Sequence, residues 1–264
     1  MSGKPRSRDK QRGSGGGPGG VPQIAAAAPP RWQNWDVGDE QPATDRQQAW
    51  ADGVPVARSA SAQKILDAAI AVFAEHGYSG SSVRQVASAA EVSVAGLYHH
   101  YASKQDLLYA IFEDVAFRLL VQVEAALALV ADDAPHVRLK VMVRAFVNFY
   151  LANQLACHVT NNEVGFLDPE EASQHSARRQ RLQAVFDEII DSGIECGAFH
   201  PANRYISARA VMVLCRDVAR WWKPSGALDA NQVGNELATL SLSILGYASD
   251  SAIPAWPERR LGTA

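Results

Sequence analysis

From Ser59 onward, apolar positions recur at helical spacing almost without a break. Ile65, Ala69, Val72 and Phe73 fall at i, i+4, i+7 and i+8, the stripe of one helix that Gly77 should end. Short helices are predicted at about 82–89 and 93–100, followed by a long one from Lys104 to about Val130, stopped by Asp132, Asp133 and Pro135. Further amphipathic stretches read as helices at roughly 136–152, 169–192, 202–222 and 229–247, with a short one near 155–166. The breaks between them fall at Asp168-Pro169, Gly193 and Gly197, Pro201 and Pro224. No stretch alternates with period two for long, and no Asn-Gly hairpin turn occurs. The expected fold class is all-α, about nine helices, with an N-terminal three-helix unit leading into a larger helical body.

Residues 1–57 break this pattern. Gly13-Ser14-Gly15-Gly16-Gly17-Pro18-Gly19-Gly20 cannot bury a core, and Pro29, Pro30, Pro42 and Pro55 interrupt the remainder of the segment. Lys4, Arg6, Arg8, Lys10 and Arg12 stand against Asp9 alone, so the segment reads as a disordered basic arm. Trp32, Trp35 and Trp50 are unusual in such an arm: either they dock on the body or a partner, or part of the segment is not native. Residues 250–264 read as a flexible tail.

Composition narrows the class. Hydrophobic residues make up 47% and charged residues 20%, ordinary for a folded globular protein. No apolar run approaches the ~20 residues of a membrane helix, and no apolar segment follows the basic start as in a secretory signal. Cys157, Cys196 and Cys215 are widely spaced and form no CxxC pair, so they read as reduced thiols in a cytoplasmic protein. A net charge of −3 excludes general nucleic-acid coating but not a DNA binder with its positive charge on one face.

The chemistry concentrates between Ser82 and Lys104. Ser82-Val83-Arg84-Gln85 has the form of a capping box, and Val83, Val86, Ala87 and Ala90 make the inner stripe of the helix it opens. Ala90-Glu91-Val92 forms a tight joint, and Ser93 caps a second helix whose Leu97 faces inward. Small residues crowd that helix's first outer turn, with Tyr98 and His99 behind them. A backbone so bare can enter a major groove ~12 Å wide while side chains behind it supply hydrogen bonds. Ser103-Lys104-Gln105-Asp106 opens the next helix with a lysine beside its N-terminus, a ready phosphate site.

The run Ile65–Phe112 resembles the DNA-binding domain of TetR-family repressors. The resemblance is carried by Phe73-Ala74-Glu75-His76-Gly77-Tyr78, Val83-Arg84-Gln85-Val86-Ala87 and Leu97-Tyr98-His99-His100-Tyr101-Ala102-Ser103-Lys104. It implies phosphate contacts from Ser82, Tyr98 and Lys104, and groove or base contacts from Arg84, Ser93, Ala95, Gly96 and His99. Structural readings of the same residues stay open: Tyr98 as a packed aromatic, Arg84 as a solvated helix residue, His99 or His100 packed on the long fourth helix. His99 and His100 do not suggest a metal site, since adjacent helical residues diverge. Where the family usually has glycine in the joint, this chain has Glu91, which would be strained at positive φ. The resemblance implies domains at 58–104 (DNA binding) and 105–249 (ligand binding and dimerisation), double-stranded operator DNA as partner, and a homodimer.

Family architecture places the dimer seam on the last two long helices, with Val211, Leu214, Val218 and Trp222 on one and Leu237, Leu240, Leu242, Ile244 and Leu245 on the other. The C-terminal half, through Arg216-Asp217-Val218-Ala219-Arg220-Trp221-Trp222-Lys223-Pro224, is similar to the branch controlling fatty-acid and steroid degradation and responding to acyl-CoA thioesters. That implies a large acyl-CoA-type effector. Phe146, Phe149, Tyr150, Phe166 and Phe186 would line its apolar part, with Arg178, Arg179, Arg216 and Arg220 at its anionic end and Trp221 stacking on a base. The same aromatics would also serve as plain core, and Arg216 and Arg220 as surface partners of Asp217 or Glu188. No GxSxG, GxGxxG, Walker lysine or HExxH occurs, so neither an enzyme nor a cofactor is expected. The expected function is a ligand-released repressor. The alternatives are an activator, a regulator answering a non-CoA hydrophobic ligand, or a helical interaction protein without DNA binding.

Overall fold

The computed structural model describes residues 58–248. The predicted arm with Trp32, Trp35 and Trp50, and the predicted tail at 250–264, lie outside the described residues. Among the described residues there are nine α-helices and no strand: α1 Ala60–Gly80, α2 Val83–Ala89, α3 Val94–His100, α4 Lys104–Ala128, α5 Pro135–Ala152, α6 Gln154–Asn162, α7 Pro169–Glu195, α8 Arg204–Trp221 and α9 Ala230–Ile244. A single 3-10 turn, Val164–Phe166, precedes α7. The all-α expectation holds, and each predicted helix appears near its expected place.

Local chemistry explains most boundaries. Ser59 accepts a hydrogen bond from the Ala62 amide at 3.2 Å to start α1. Inside the α1 span Gly77 adopts φ 71° and ψ 159°, so the regular helix breaks at the predicted glycine and Tyr78–Gly80 form a separate turn. Pro135 occupies the first turn of α5, where its missing N–H costs nothing. Asp168 and Glu171 cap α7 reciprocally, the Glu171 amide donating to Asp168 at 2.9 Å and the Asp168 amide to Glu171 at 3.0 Å. The predicted short helix near 155–166 resolves into α6 and the 3-10 turn, while α7 runs past Gly193 to Glu195.

These helices pack in two layers. α1 holds α2 and α3 through Ile65, Leu66 and Ala69 against Val86, Ala87, Ala90 and Leu97, all buried. In the body α5 sits at the centre, covered by α4, α7, α8 and α9. α6 packs on α1, α4 and α8, and α4 touches both α1 and the body helices, so the two layers share one continuous core.

Gly193 shows how close the packing becomes. It is buried in α7, and a Cβ built on it would lie 2.1 Å from a Phe199 ring carbon, while its carbonyl accepts from the Phe199 amide at 2.9 Å. Phe199 is itself 1% exposed and has nowhere to retreat. Gly193→Ala is expected to cost about 1–3 kcal/mol through overpacking, read as a lowered denaturation midpoint with an unchanged slope.

Candidate nucleic-acid interface and effector site

The joint between α2 and α3 is a left-handed helix cap. The Val92 amide donates to the Ala87 carbonyl at 3.0 Å and the Glu91 amide to the Ser88 carbonyl at 3.1 Å, the two bonds of a Schellman motif. That geometry demands positive φ at Glu91, which has φ 55°, the only positive-φ non-glycine among the described residues. Glutamate therefore sits where glycine is at ease. Lys64 of α1 holds it in place, its ammonium 2.7 Å from the Glu91 carboxylate, and lowers the carboxyl's pKa.

Both short helices start on serine caps. The Gln85 amide donates to Ser82 at 3.3 Å and the Ser82 amide donates back to the Gln85 side chain at 2.8 Å; the Gly96 amide donates to Ser93 at 2.9 Å. With Leu97 fully buried as the anchor of α3, the opposite side of the motif presents Arg84, Ser93, Ala95, Tyr98 and His99 to solvent. Gly96 is half-buried, and Ser82 is exposed at the start of α2. His100 is half-buried, its ring 5.2 Å from that of His99. No group of His, Cys, Asp and Glu able to hold a metal occurs among the described residues.

Lys104 has a further partner. Its ammonium donates to the Ser81 carbonyl at 2.6 Å and lies 4.3 Å from the centre of the Tyr78 ring. Burial lowers its pKa, and Glu163 opposes that shift. It thus ties the first turn of α4 to the end of α1.

Beside it, one side chain joins three elements. Gln105 accepts from the Tyr78 hydroxyl at 2.8 Å and donates to the Phe166 carbonyl at 2.9 Å and to Glu171 at 2.5 Å. The Tyr78 and Phe166 rings pack 5.3 Å apart. Phe166 therefore stands against the helix-turn-helix layer, apart from the aromatic cluster with which the sequence grouped it.

That cluster is dense. Phe146, Phe149, Tyr150 and Phe186 are all buried, with Phe146 and Tyr150 stacked 4.7 Å apart. Around Tyr150 the charges diverge. Arg178 pairs with Glu113 of α4, a buried acid whose pKa is raised by burial against the pull of that arginine. Arg216 donates to Asn161 at 2.9 Å and hydrogen-bonds Tyr150, whose hydroxyl burial pushes up to about 12. Arg179 is depressed first by desolvation and then by Arg216. His175 is 8% exposed, packs edge-on against Phe112 at 4.8 Å, and has an Nδ1 without a hydrogen-bond partner. Burial and the neighbouring arginines push its pKa down to about 4.

Arg220 and Trp221 lie elsewhere. Arg220 is exposed, 3.7 Å from Asp217. Trp221 is 53% exposed and shares an open apolar groove with Ile206, Ala210, Val213 and Leu214. Sequence reasoning missed His175, Glu113 and Asn161. His175, Arg178 and Arg179 stand at i, i+3 and i+4, a spacing that places them together on one face of α7.

A capped helix-turn-helix with a bare outer face, joined to an all-helical body holding a cluster of charges around a buried histidine, defines the class: a DNA-binding transcriptional regulator. Two family models match: "Bacterial regulatory proteins, tetR family" over residues 65–111 and "Tetracyclin repressor-like, C-terminal domain" over residues 132–245. The HTH-type transcriptional activator FasR of Mycolicibacterium smegmatis is 30% identical over 161 residues, covering 60% of this chain and 70% of FasR. The HTH-type transcriptional repressor KstR2 of Mycobacterium tuberculosis is 26% identical over 184 residues, 68% of this chain and 90% of KstR2. A structure of AibR in complex with isovaleryl coenzyme A and operator DNA shares the fold at 24% identity and TM-score 0.61, covering 68% of this chain and 97% of that one. The chain belongs to the TetR family of transcriptional regulators, whose members bind operator DNA and dimerise. The matched relatives are regulators, not enzymes, and no described helix is long and apolar enough to cross a membrane.

The Gln105 contacts yield a test of the joint between the layers. Gln105→Ala removes three hydrogen bonds at once, with an expected loss of about 1–3 kcal/mol because their partners are only part-buried. Thermal melting measures it, and the Tyr78→Phe variant, losing one of the three, should fall between it and the wild type.

Proposed function

We propose that the protein is a homodimeric, ligand-released repressor: residues 58–104 read operator DNA, and residues 105–249 dimerise and sense an effector. The observation that carries the DNA-reading part is the outer face of α3, with Ser93 and Ala95 exposed at its start and Tyr98 and His99 behind them. Ser93, Ala95 and Gly96 admit the helix to the major groove, and Arg84 and His99 contact base edges. Ser82 and Tyr98 bind phosphate, as does Lys104 once it exchanges the Ser81 carbonyl for a phosphate oxygen. The protein acts in the cytoplasm on double-stranded DNA, with no catalytic activity and no cofactor.

The homodimer is supported by exposed apolar residues on α8 and α9: Ile206 at 60%, Val213 at 62% and Leu240 at 49%. Isolated exposed residues need no explanation, but a groove lined by apolar side chains along one helix does. Repression accords with KstR2; activation, with FasR as its precedent, is the second reading. The effector is an acyl-CoA-type thioester, as in the AibR complex. Its acyl part displaces packing among Phe146, Phe149, Tyr150 and Phe186, and its anionic part meets arginine. Of the four arginines expected there, Arg178 is already paired with Glu113 and Arg220 lies on the surface, which leaves Arg179 and Arg216.

Lys104→Ala should reduce the slope of log affinity against log salt by about one unit and weaken all sequences alike. Tyr98→Phe should cost about 1 kcal/mol of operator affinity. Electrophoretic shifts at several salt concentrations measure both, and wild-type behaviour of both variants would displace the interface from α3 and α4. Leu240→Asp, harmless to a single chain because the side chain is solvent-facing, should give monomers by sedimentation and lose operator binding. An intact dimer would move the seam.

A further inference from the structure

The charges around the aromatic cluster do not balance. Glu113 neutralises Arg178, leaving Arg179 and Arg216 with no ion pair among the described residues. Arg216 has only neutral partners, Asn161 and Tyr150. Arg179 is solvent-exposed on α7, and both Arg216 and Arg209 act to depress its pKa. His175, one turn before Arg179 on α7, packs on Phe112 and is more than nine-tenths buried with Nδ1 unpartnered. An unsatisfied polar atom at such depth costs stability unless something occupies the space beside it.

We propose that Arg179, Arg216, Tyr150 and His175 form an oxyanion subsite between α5, α7 and α8, taking a carboxylate or phosphate oxygen of the effector. The proposal rests on the effector reading above and adds to it residues and a ligand chemistry. Arginine's fork suits two oxygens of one anion. His175, neutral at physiological pH, donates from Nδ1 as the corresponding tautomer, and the Tyr150 hydroxyl supplies a further hydrogen bond. An anion here relieves the repulsion between the arginines and satisfies the buried ring nitrogen in one step. The subsite lies one helical turn along α7 from Glu171, which Gln105 binds, so its occupant acts on the helix that touches the DNA-binding layer.

The test uses the full chain and four probes: inorganic phosphate, hexadecanoate, free coenzyme A and hexadecanoyl-coenzyme A. Calorimetric titration and thermal melting are run at constant ionic strength, with chloride as the reference anion. At least one probe should bind and raise the melting temperature beyond the chloride reference. Preference for hexadecanoate identifies a carboxylate as the occupant, and preference for phosphate or coenzyme A identifies a phosphate. Arg179→Gln and Arg216→Gln should each weaken that probe by about tenfold or more, as loss of a charge-assisted hydrogen bond requires, and His175→Asn should weaken it less. Without any probe, Arg179→Gln, altering a solvent-exposed residue, should melt higher than wild type because one of several mutually repelling cations is gone. If hexadecanoyl-coenzyme A binds wild type and both arginine variants equally, the subsite is wrong while the thioester reading stands. If phosphate or hexadecanoate binds through these arginines and the thioester does not, the subsite stands and the thioester reading falls. If no probe outperforms chloride and Arg179→Gln melts lower, the subsite is overturned.

Discussion

Everything in this fold depends on covering α5. Its sequence is apolar on nearly every side: Leu139, Val141, Met142, Val143, Ala145, Phe146, Val147, Phe149, Tyr150 and Leu151 are all buried. A helix of that kind cannot sit at a surface, because each exposed aliphatic or aromatic side chain forgoes about 1.5–3 kcal/mol. Four helices, α4, α7, α8 and α9, therefore pack around it. α9 packs on α5 at Gly234, where a Cβ would make ordinary contact, 3.5 Å from Asn148 Oδ1 and 3.8 Å from the Arg144 Cα. Arg144 Nε and Asn148 Oδ1 are buried there without hydrogen-bond partners, a cost that the surrounding apolar burial offsets.

The same covering scheme links the two ends of the molecule. α4 is continuous from Lys104 to Ala128, so its first turn belongs to the DNA-binding layer while its later turns carry Glu113 and Phe112 into the body. α7 runs beside it and starts at the Gln105–Phe166–Glu171 contact. Tyr109 and Gln174 hydrogen-bond one turn further along. A displacement of α7 therefore reaches α4 through named hydrogen bonds and, through Lys104 and Ser81, the end of α1. Coupling between distant sites needs a contiguous element with more than one arrangement; the part-buried polar contacts here are easier to exchange than the aliphatic core around them.

The charges divide by neighbour. At the surface Arg204 holds Asp191 at 2.8 Å and Asp187 at 3.0 Å, a solvated network of modest worth. Around His175, Glu113 takes Arg178, and Arg179 and Arg216 are left over. An excess of one sign beside a buried ring is costly in an isolated chain and useful in one that receives an anion.

The helices, their caps and the helix-turn-helix were legible from the chain alone, because they rest on interactions among residues a few positions apart. Ser82 with Gln85, Asp168 with Glu171 and the stop at Gly77 are local geometry. The resemblance that named the family was carried by the same local signals, and the positive φ at Glu91 comes from the joint's own hydrogen bonds. Which apolar and charged residues meet depends on how the helices pack. Phe166 and Phe146 are both aromatic in the sequence, yet one packs on Tyr78 and the other on Tyr150. Of the four arginines expected at the effector's anionic end, Arg178 found Glu113, Arg220 faced solvent beside Asp217, and Arg179 and Arg216 came near His175. Helical periodicity reports which face a residue occupies. The neighbour across that face comes from another helix, and its identity is set by how the whole bundle closes around α5.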